Sequence, residues 1–319
     1  MNKRAVITGA FSYTGAAVAR ELLSRGYVIH SLTNRQPVGD SVISCAPLRF
    51  EREYLERELS SADVFVNTYW VRLPYAGQTF TTAVQRSQLL INAAVSAGVK
   101  RTVHISVSNA EQGMNLGYYA GKAQVDAYVR QCGIPYAIVH PTLIVGDADV
   151  LTNNIAWILR RFPVFLIPGT GEYRLQPITL NDTARIIADA VEHNDNQEVD
   201  AAGPDIITFA QYVQCVATAC RVSRLMLRAP EEIILGSLKV MQSMLNDIVL
   251  TREELLGLKQ ELLVSHKPPL GRESVSGWLQ SHGAQLGRQY VNDIHRHFGR
   301  RRTVAVLYVD AMGNLNAAG

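Results

Sequence analysis

AVITGAFSYTG, residues 5–15, is the stretch that decides the fold. The short apolar run Ala5, Val6 and Ile7 reads as a buried strand, a glycine-spaced turn follows, and residues 16–23 continue with helical apolar spacing. Gly9 and Gly15 let the backbone turn tightly and approach a ligand closely. The amides at the start of the helix would then face an anion. Ser12 stands where G-x-x-G-x-x-G carries its middle glycine and adds a hydroxyl able to donate to a phosphate. Gly9, Phe11, Ser12, Tyr13, Thr14 and Gly15 are therefore the candidate phosphate-binding positions.

The helix stops at Arg25-Gly26, and residues 27–32 read as a second strand ending in Thr33-Asn34-Arg35. About twenty residues after the glycine turn is where a dinucleotide fold inspects the adenosine ribose. An acidic residue there would accept from a 2′-hydroxyl, whereas Arg35 attracts a 2′-phosphate. The strand end at Asn34 and Arg35 thus predicts NADP(H) ahead of NAD(H).

Outward from this start, strand and helix alternate. Strands are expected at 47–50, 63–67, 101–106 and 135–140, and helices at 53–59, 79–97 and 118–131, several closed by glycine. This order predicts an α/β chain: a Rossmann-type, doubly wound parallel sheet. Residues 1–150 form the dinucleotide-binding domain in this reading. Residues 151–319 complete the sheet and build a smaller, mainly helical substrate lobe, with helices at 153–161, 181–193 and 209–219, the last capped by Thr208, and a capping box at Thr251 and Glu254. The apolar stretch 233–250 is interrupted by Gly236, Lys239, Asn246 and Asp247, which favours a buried or groove-lining helix over a membrane span.

Composition fits an enzyme-sized protein with a large core: 319 residues, 47% hydrophobic and 18% charged. A net charge of +3 is too small to argue for nucleic acid, and Arg300-Arg301-Arg302 reads as a solvated turn. The amino terminus runs directly into the first strand, so cytoplasmic residence is expected. Cys45, Cys132, Cys215 and Cys220 lack metal-site spacing and are read as reduced and structural, with no metal site expected.

The chemistry-bearing pair is Tyr118 and Lys122, four residues apart and so on one face of the helix that follows the fifth strand. An ammonium beside a phenol stabilises the phenolate and lowers its pKa, making Tyr118 a general acid or base. The same lysine can hold a ribose.

Together these segments resemble the short-chain dehydrogenase/reductase superfamily, in its extended and atypical branches, over the first 190 residues. The match is carried by TGAFSYTG, Arg35, the HIS segment at 104–106, the Tyr118/Lys122 pair and PTLIVG at 141–146. NTYWVR at 67–72, NNIAWILRRFPVF at 153–165 and GEYRLQPI at 171–178 are similar to a narrower set, NAD-dependent epimerase/dehydratase or NmrA-like proteins. There is also a likeness to the dinucleotide-binding accessory subunit of respiratory complex I. The resemblance implies a bound nicotinamide dinucleotide and a tyrosine–lysine proton relay. It puts Ser106 at the cofactor, Thr68 by the adenosine ribose, the Pro141-Thr142 backbone at the nicotinamide amide, and Arg174 where sugar-nucleotide epimerases hold phosphate. Val107 departs from the pattern, because extended members carry the helper Ser or Thr there; Ser108 is the substitute. Trp70, Trp157 and Tyr173 read either as pocket lining or as core.

The function implied is an NADP(H)-linked oxidoreductase passing hydride between the nicotinamide and a carbonyl or secondary alcohol of a small-molecule substrate, or an epimerase/dehydratase. The alternative is a non-catalytic dinucleotide-binding sensor or assembly partner. The intact Tyr118/Lys122 pair favours the enzyme and Val107 favours the sensor. Helices 79–97 and 118–131 are the surfaces that pair into a homodimer in the resembling family.

Overall fold

Alternating apolar residues seed the sheet from its centre. In β1 (Arg4–Thr8), Ala5 and Ile7 enter the core on one face while Val6 enters it on the other, as the two-residue period of a strand demands. The computed structural model describes residues 3–36, 41–298, 308–309 and 315–316; the Arg300–Arg302 cluster lies outside them. From β1 the chain runs through α1 (Tyr13–Ser24), β2 (Val28–Leu32), β3 (Ser44–Ala46), α2 (Arg52–Leu59), β4 (Val64–Asn67), α3 (Phe80–Ser96), β5 (Arg101–Ile105), α4 (Gly117–Arg130) and β6 (Tyr136–Pro141). It continues through β7 (Leu143–Val145), α5 (Val150–Arg161), β8 (Val164–Pro168), β9 (Arg174–Leu175), β10 (Pro177–Thr179), α6 (Leu180–Glu192) and β11 (Gln197–Ala201).

The central sheet has seven strands in the order β11-β6-β5-β4-β1-β2-β3, every neighbouring pair parallel. Strand order reverses between β1 and β4, and the carboxyl ends of that pair form the crevice where such sheets take ligands. Helices α1 and α6 pack one face, and α2 with α3 packs the other around Phe65, Leu55 and Leu90. This is a Rossmann-type α/β fold, and its last strand, β11, comes from beyond residue 150.

Two local expectations are corrected. The third strand forms at Ser44–Ala46, paired with His30–Leu32, instead of at 47–50. Pro47 has no N–H to give the ladder, so the pairing ends before it. The second correction concerns the apolar stretch 233–250.

Beyond the sheet come β12 (Ile207–Thr208), α7 (Phe209–Ala219), β13 (Leu225–Ala229), α8 (Glu231–Leu245), α9 (Arg252–Lys259), α10 (Val275–His282) and α11 (Asp293–Phe298), then a two-residue pair, β14 (Tyr308–Val309) with β15 (Leu315–Asn316). A second core of Leu159, Leu175, Tyr212, Val216 and Trp278 holds α5, α7 and α10 together. The expected cap at Thr208 and capping box at Thr251 are present, and Gln211 completes a box at Thr208 as well. Helix α8, however, lies on the surface. Its apolar residues are spread around the helix, so only Ile234 and Leu238 are buried while Ile233, Val240 and Met244 are exposed. Among the described residues no helix is long and apolar enough to cross a membrane, and no His/Cys/Asp/Glu group could hold a metal ion.

Candidate functional site

The turn after β1 is held by its own backbone. Gly9, at φ +71°, donates to Leu32 O at 2.8 Å and accepts from Ser12 N at 2.8 Å. Ser12 caps α1, its Oγ accepting from Gly15 N at 3.2 Å, which leaves its hydroxyl proton to donate elsewhere. A Cβ at Gly15 would stand 2.1 Å from Gly9 O. Gly15 is therefore required by the turn itself, before any ligand arrives. Tyr13 and Thr14 open α1, whose first turn contains no acidic residue to compete for its amides. The Tyr13 hydroxyl is buried without a hydrogen-bond partner. Burial, reinforced by Asp149, pushes its pKa upward.

At the end of β2, Asn34 and Leu48 exchange hydrogen bonds of 3.3 and 3.0 Å. Beside them lies a cavity of about 520 Å³ lined by Asn34, Leu48, Arg49, Phe50, Glu51, Tyr69, Gln78 and Arg86. The Arg86 guanidinium lies 4.5 Å from the Phe50 ring centroid and donates to Tyr69 Oη at 3.2 Å. Arg35 reaches back over the turn, Nη1 donating to Phe11 O at 3.3 Å. The structure thus brings Asn34, Arg35, Phe11 and the glycine turn together. Thr68 joins them at the crevice, where its backbone N donates to Thr8 Oγ1 at 2.8 Å and its hydroxyl donates to Thr8 O. Its hydroxyl ties β4 to β1.

The candidate catalytic positions are arranged otherwise. The Tyr118 ring packs edge-on against Trp70, Phe80 and Tyr119, at centroid distances of 6.1, 6.0 and 5.5 Å. Desolvation, followed by the charge of Glu254, pushes its pKa up to about 12. Lys122, 3% exposed, turns its ammonium to Ile105 O at 2.6 Å and over the Trp70 ring at 4.5 Å. Burial brings its pKa down to about 7, against the pull of Asp126. The expected coupling is reversed: the phenol moves away from neutrality, and the lysine moves towards it. The two share a helical face, but the ammonium points back to a strand carbonyl while the phenol sits among rings.

Ser108 also departs from the helper role. Its Oγ is fully buried and donates to Leu262 O at 2.7 Å, a bond to the carboxyl-terminal segment. Ser106 Oγ donates to Asp126 Oδ2 at 2.6 Å. Pro141 pairs with Ala201 across β6 and β11, and Thr142 donates through N to Ala201 O at 3.0 Å and through its hydroxyl to Gln176 O. Arg174 is fastened to Glu261 by a 2.6 Å ion pair, so its guanidinium is already matched. Trp70 belongs to the Tyr118 cluster, Trp157 packs on Tyr290, and Tyr173 stacks on Phe209.

Sequence reasoning missed a buried polar chain under these residues. Asn67 Nδ2 meets His104 Nδ1 at 3.2 Å, His104 lies 3.6 Å from Asp126, and Asp126 lies 3.4 Å from His140. His140 is 3.6 Å from Asp200, which pairs with Lys267 at 3.1 Å. Burial, then the neighbouring Lys122, pushes His104 down to about 3, so it is neutral at ordinary pH. His140, His104 and Ser106 hold the Asp126 carboxyl below its usual range despite burial. Asp126 was legible as the residue one helical turn after Lys122. His104 and His140 were not, being single polar residues inside apolar strands.

The NmrA-like family matches residues 1–201. The photosystem II assembly factor Ycf39 of Cyanidium caldarium is 22% identical over 188 residues, which is 57% of this chain and 59% of that protein. The mitochondrial NADH dehydrogenase [ubiquinone] 1 alpha subcomplex subunit 9 of Dictyostelium discoideum is 22% identical over 181 residues, 53% of this chain and 49% of that one. The chain thus spans about half to three-fifths of the length of these curated relatives. Among solved structures, the NADPH-dependent quinone oxidoreductase QOR2 of Escherichia coli, complexed with NADPH, is similar with a TM-score of 0.70 at 17% identity, over 87% of this chain and 99% of that one. This last likeness is one of fold.

Proposed function

Because the chain belongs to the NmrA-like family, we propose that it binds NADP(H) at the carboxyl ends of β1, β2 and β4 and acts as a dinucleotide-responsive sensor or assembly partner. The pyrophosphate would sit on the α1 amino terminus at Ser12, Tyr13 and Thr14, the adenosine in the cavity beside Asn34 and Phe50, and the 2′-phosphate at Arg35. When bound, the nicotinamide supplies a hydride-accepting or hydride-donating ring, which lets occupancy follow the ratio of reduced to oxidised cofactor. The carrying observation is a contrast in commitment. The turn is held by Gly9 backbone bonds and by the Ser12 Oγ accepting from Gly15 N, which leaves the Ser12 proton to donate, whereas Lys122 and Ser108 donate to Ile105 O and Leu262 O. The assembly-factor relative and the NADPH-bound structural neighbour support the two halves of this reading.

Fluorescence titration of the purified protein with NADPH and NADH tests it. Saturable binding with NADPH at least about tenfold tighter is expected, the difference a charged phosphate contact makes. Equal affinity would remove Arg35 as the ribose reader, and no binding of either would overturn the proposal.

A reductase reading is favoured by one feature, the burial of the Lys122 amine beside Ile105 O and the Trp70 ring, which brings its pKa down to about 7. In that reading Lys122 exchanges the proton with substrate in place of Tyr118. Lys122→Met would then abolish turnover that Tyr118→Phe leaves intact.

A further inference from the structure

Helix α11 lies far along the chain, yet it is laid against the phosphate turn. Arg35 Nη2 donates to Arg296 O at 3.4 Å, and Arg296 Nη1 donates to Ala148 O at 2.8 Å, in the loop after β7. The placement is anchored. Asp247 accepts from Asp293 N at 3.1 Å, Ile294 N at 3.0 Å and Tyr290 Oη at 2.7 Å, and Asn292 Nδ2 donates to Leu245 O at 2.9 Å.

Charges of both signs meet at this junction. Burial and the neighbouring Arg296 together lower the Arg35 pKa, with Asp293 acting the other way. Asp293 is itself 3.3 Å from Arg72, and Asp149, close enough to feel the Arg296 charge, is buried and pushed up to about 6. Both arginines donate to main-chain carbonyls, and among the described residues neither is in an ion pair. The Arg296 charge also acts on Tyr13, the first residue of α1, whose buried hydroxyl has no partner. Two half-buried guanidiniums and the positive end of a helix dipole therefore meet at one turn, with the Asp149 and Asp147 carboxylates on its Tyr13 side. Like charges gathered in this way are stabilised by an anion placed among them.

We propose that Arg296 is a pyrophosphate ligand, and that α11 straps the dinucleotide onto the turn with Arg296 over the pyrophosphate and Arg35 at the 2′-phosphate. This rests on the dinucleotide-binding reading above and adds a ligand from the far end of the chain. Arg296 serves NADPH and NADH alike, because both carry the pyrophosphate. Arg35 serves NADPH alone.

The test compares both affinities in wild type, Arg296→Gln and Arg35→Gln, with circular dichroism to verify folding. Arg296→Gln is expected to weaken NADPH and NADH by the same factor, tenfold or more, as about 1.5 kcal/mol for one charged contact implies, and to raise the concentration of inorganic pyrophosphate needed to displace NADPH. Arg35→Gln is expected to weaken NADPH only. Arg296→Lys, which keeps the charge and loses the fork, should fall between, and it replaces the glutamine variant if that one does not fold. Unchanged affinities in Arg296→Gln overturn the inference, and tighter binding overturns it in favour of a plug that must leave before the cofactor enters. Failure of the wild type to bind either dinucleotide would instead overturn the underlying reading.

Discussion

The glycine turn at residues 9–15 and the helical turn at residues 118–122 both match a dinucleotide enzyme in sequence, but they use their polar groups in different ways. In the first, backbone bonds hold the loop, and the Ser12 proton and the α1 amides remain for a ligand. In the second, the ammonium lies on a strand carbonyl and the phenol among three rings. Spacing places residues on a face, and burial then decides what their heads can do. A lysine in a dry site cannot depress the pKa of a tyrosine when its own charge is disfavoured there.

The largest expected effect is at Gly15. A side chain there meets Gly9 O at 2.1 Å, a backbone atom that cannot step aside. Gly15→Val should lower stability by at least about 4 kcal/mol in urea unfolding, in the class of backbone clashes that give exceptional losses. A stable, folded variant that merely lost cofactor would show that the glycine serves the ligand instead of the turn.

Lys122 sharpens the other side. Its folded pKa of about 7 lies below the ordinary 10.5, so between those values the unfolded chain holds a proton that the folded chain does not. Stability should therefore rise with pH from 7.5 to 9.5, by up to about 1.4 kcal/mol per pH unit from this group. Denaturant unfolding of Lys122→Met across that window should show the slope reduced. An unchanged slope would mean the ammonium is not desolvated.

Arg35→Gln should cost NADPH roughly tenfold to a hundredfold in affinity, about 1.5–3 kcal/mol, with NADH unaffected. Ser108→Ala is expected to remove about 1 kcal/mol of stability through its bond to Leu262 O and nothing else. A loss of turnover without a loss of stability would return Ser108 to the helper role.

What the sequence revealed was local. β1, its glycine turn, α1, the cap at Thr208 and the capping box at Thr251 depend on residues within one or two turns of each other, and each formed as expected. The third strand slipped because one missing N–H at Pro47 outweighed the apolar run that follows it. The fate of the candidate site was set by distant partners. Ser108 is claimed by Leu262 and Arg35 meets Arg296, separations of 154 and 261 residues that no spacing rule spans. The direction of the Lys122 head depends on whether Ile105 O or the phenol is nearer, a packing outcome invisible in a Tyr-x-x-x-Lys pattern.

The central claim is that the turn binds cofactor while Tyr118 takes no part in chemistry. It is tested most directly by titrating NADPH into wild type and Tyr118→Phe side by side while following the reduced-nicotinamide absorbance in the presence of quinones and carbonyl compounds. Equal dissociation constants and no Tyr118-dependent oxidation are expected. A turnover in the wild type that falls by about two to four orders of magnitude in Tyr118→Phe would contradict the account.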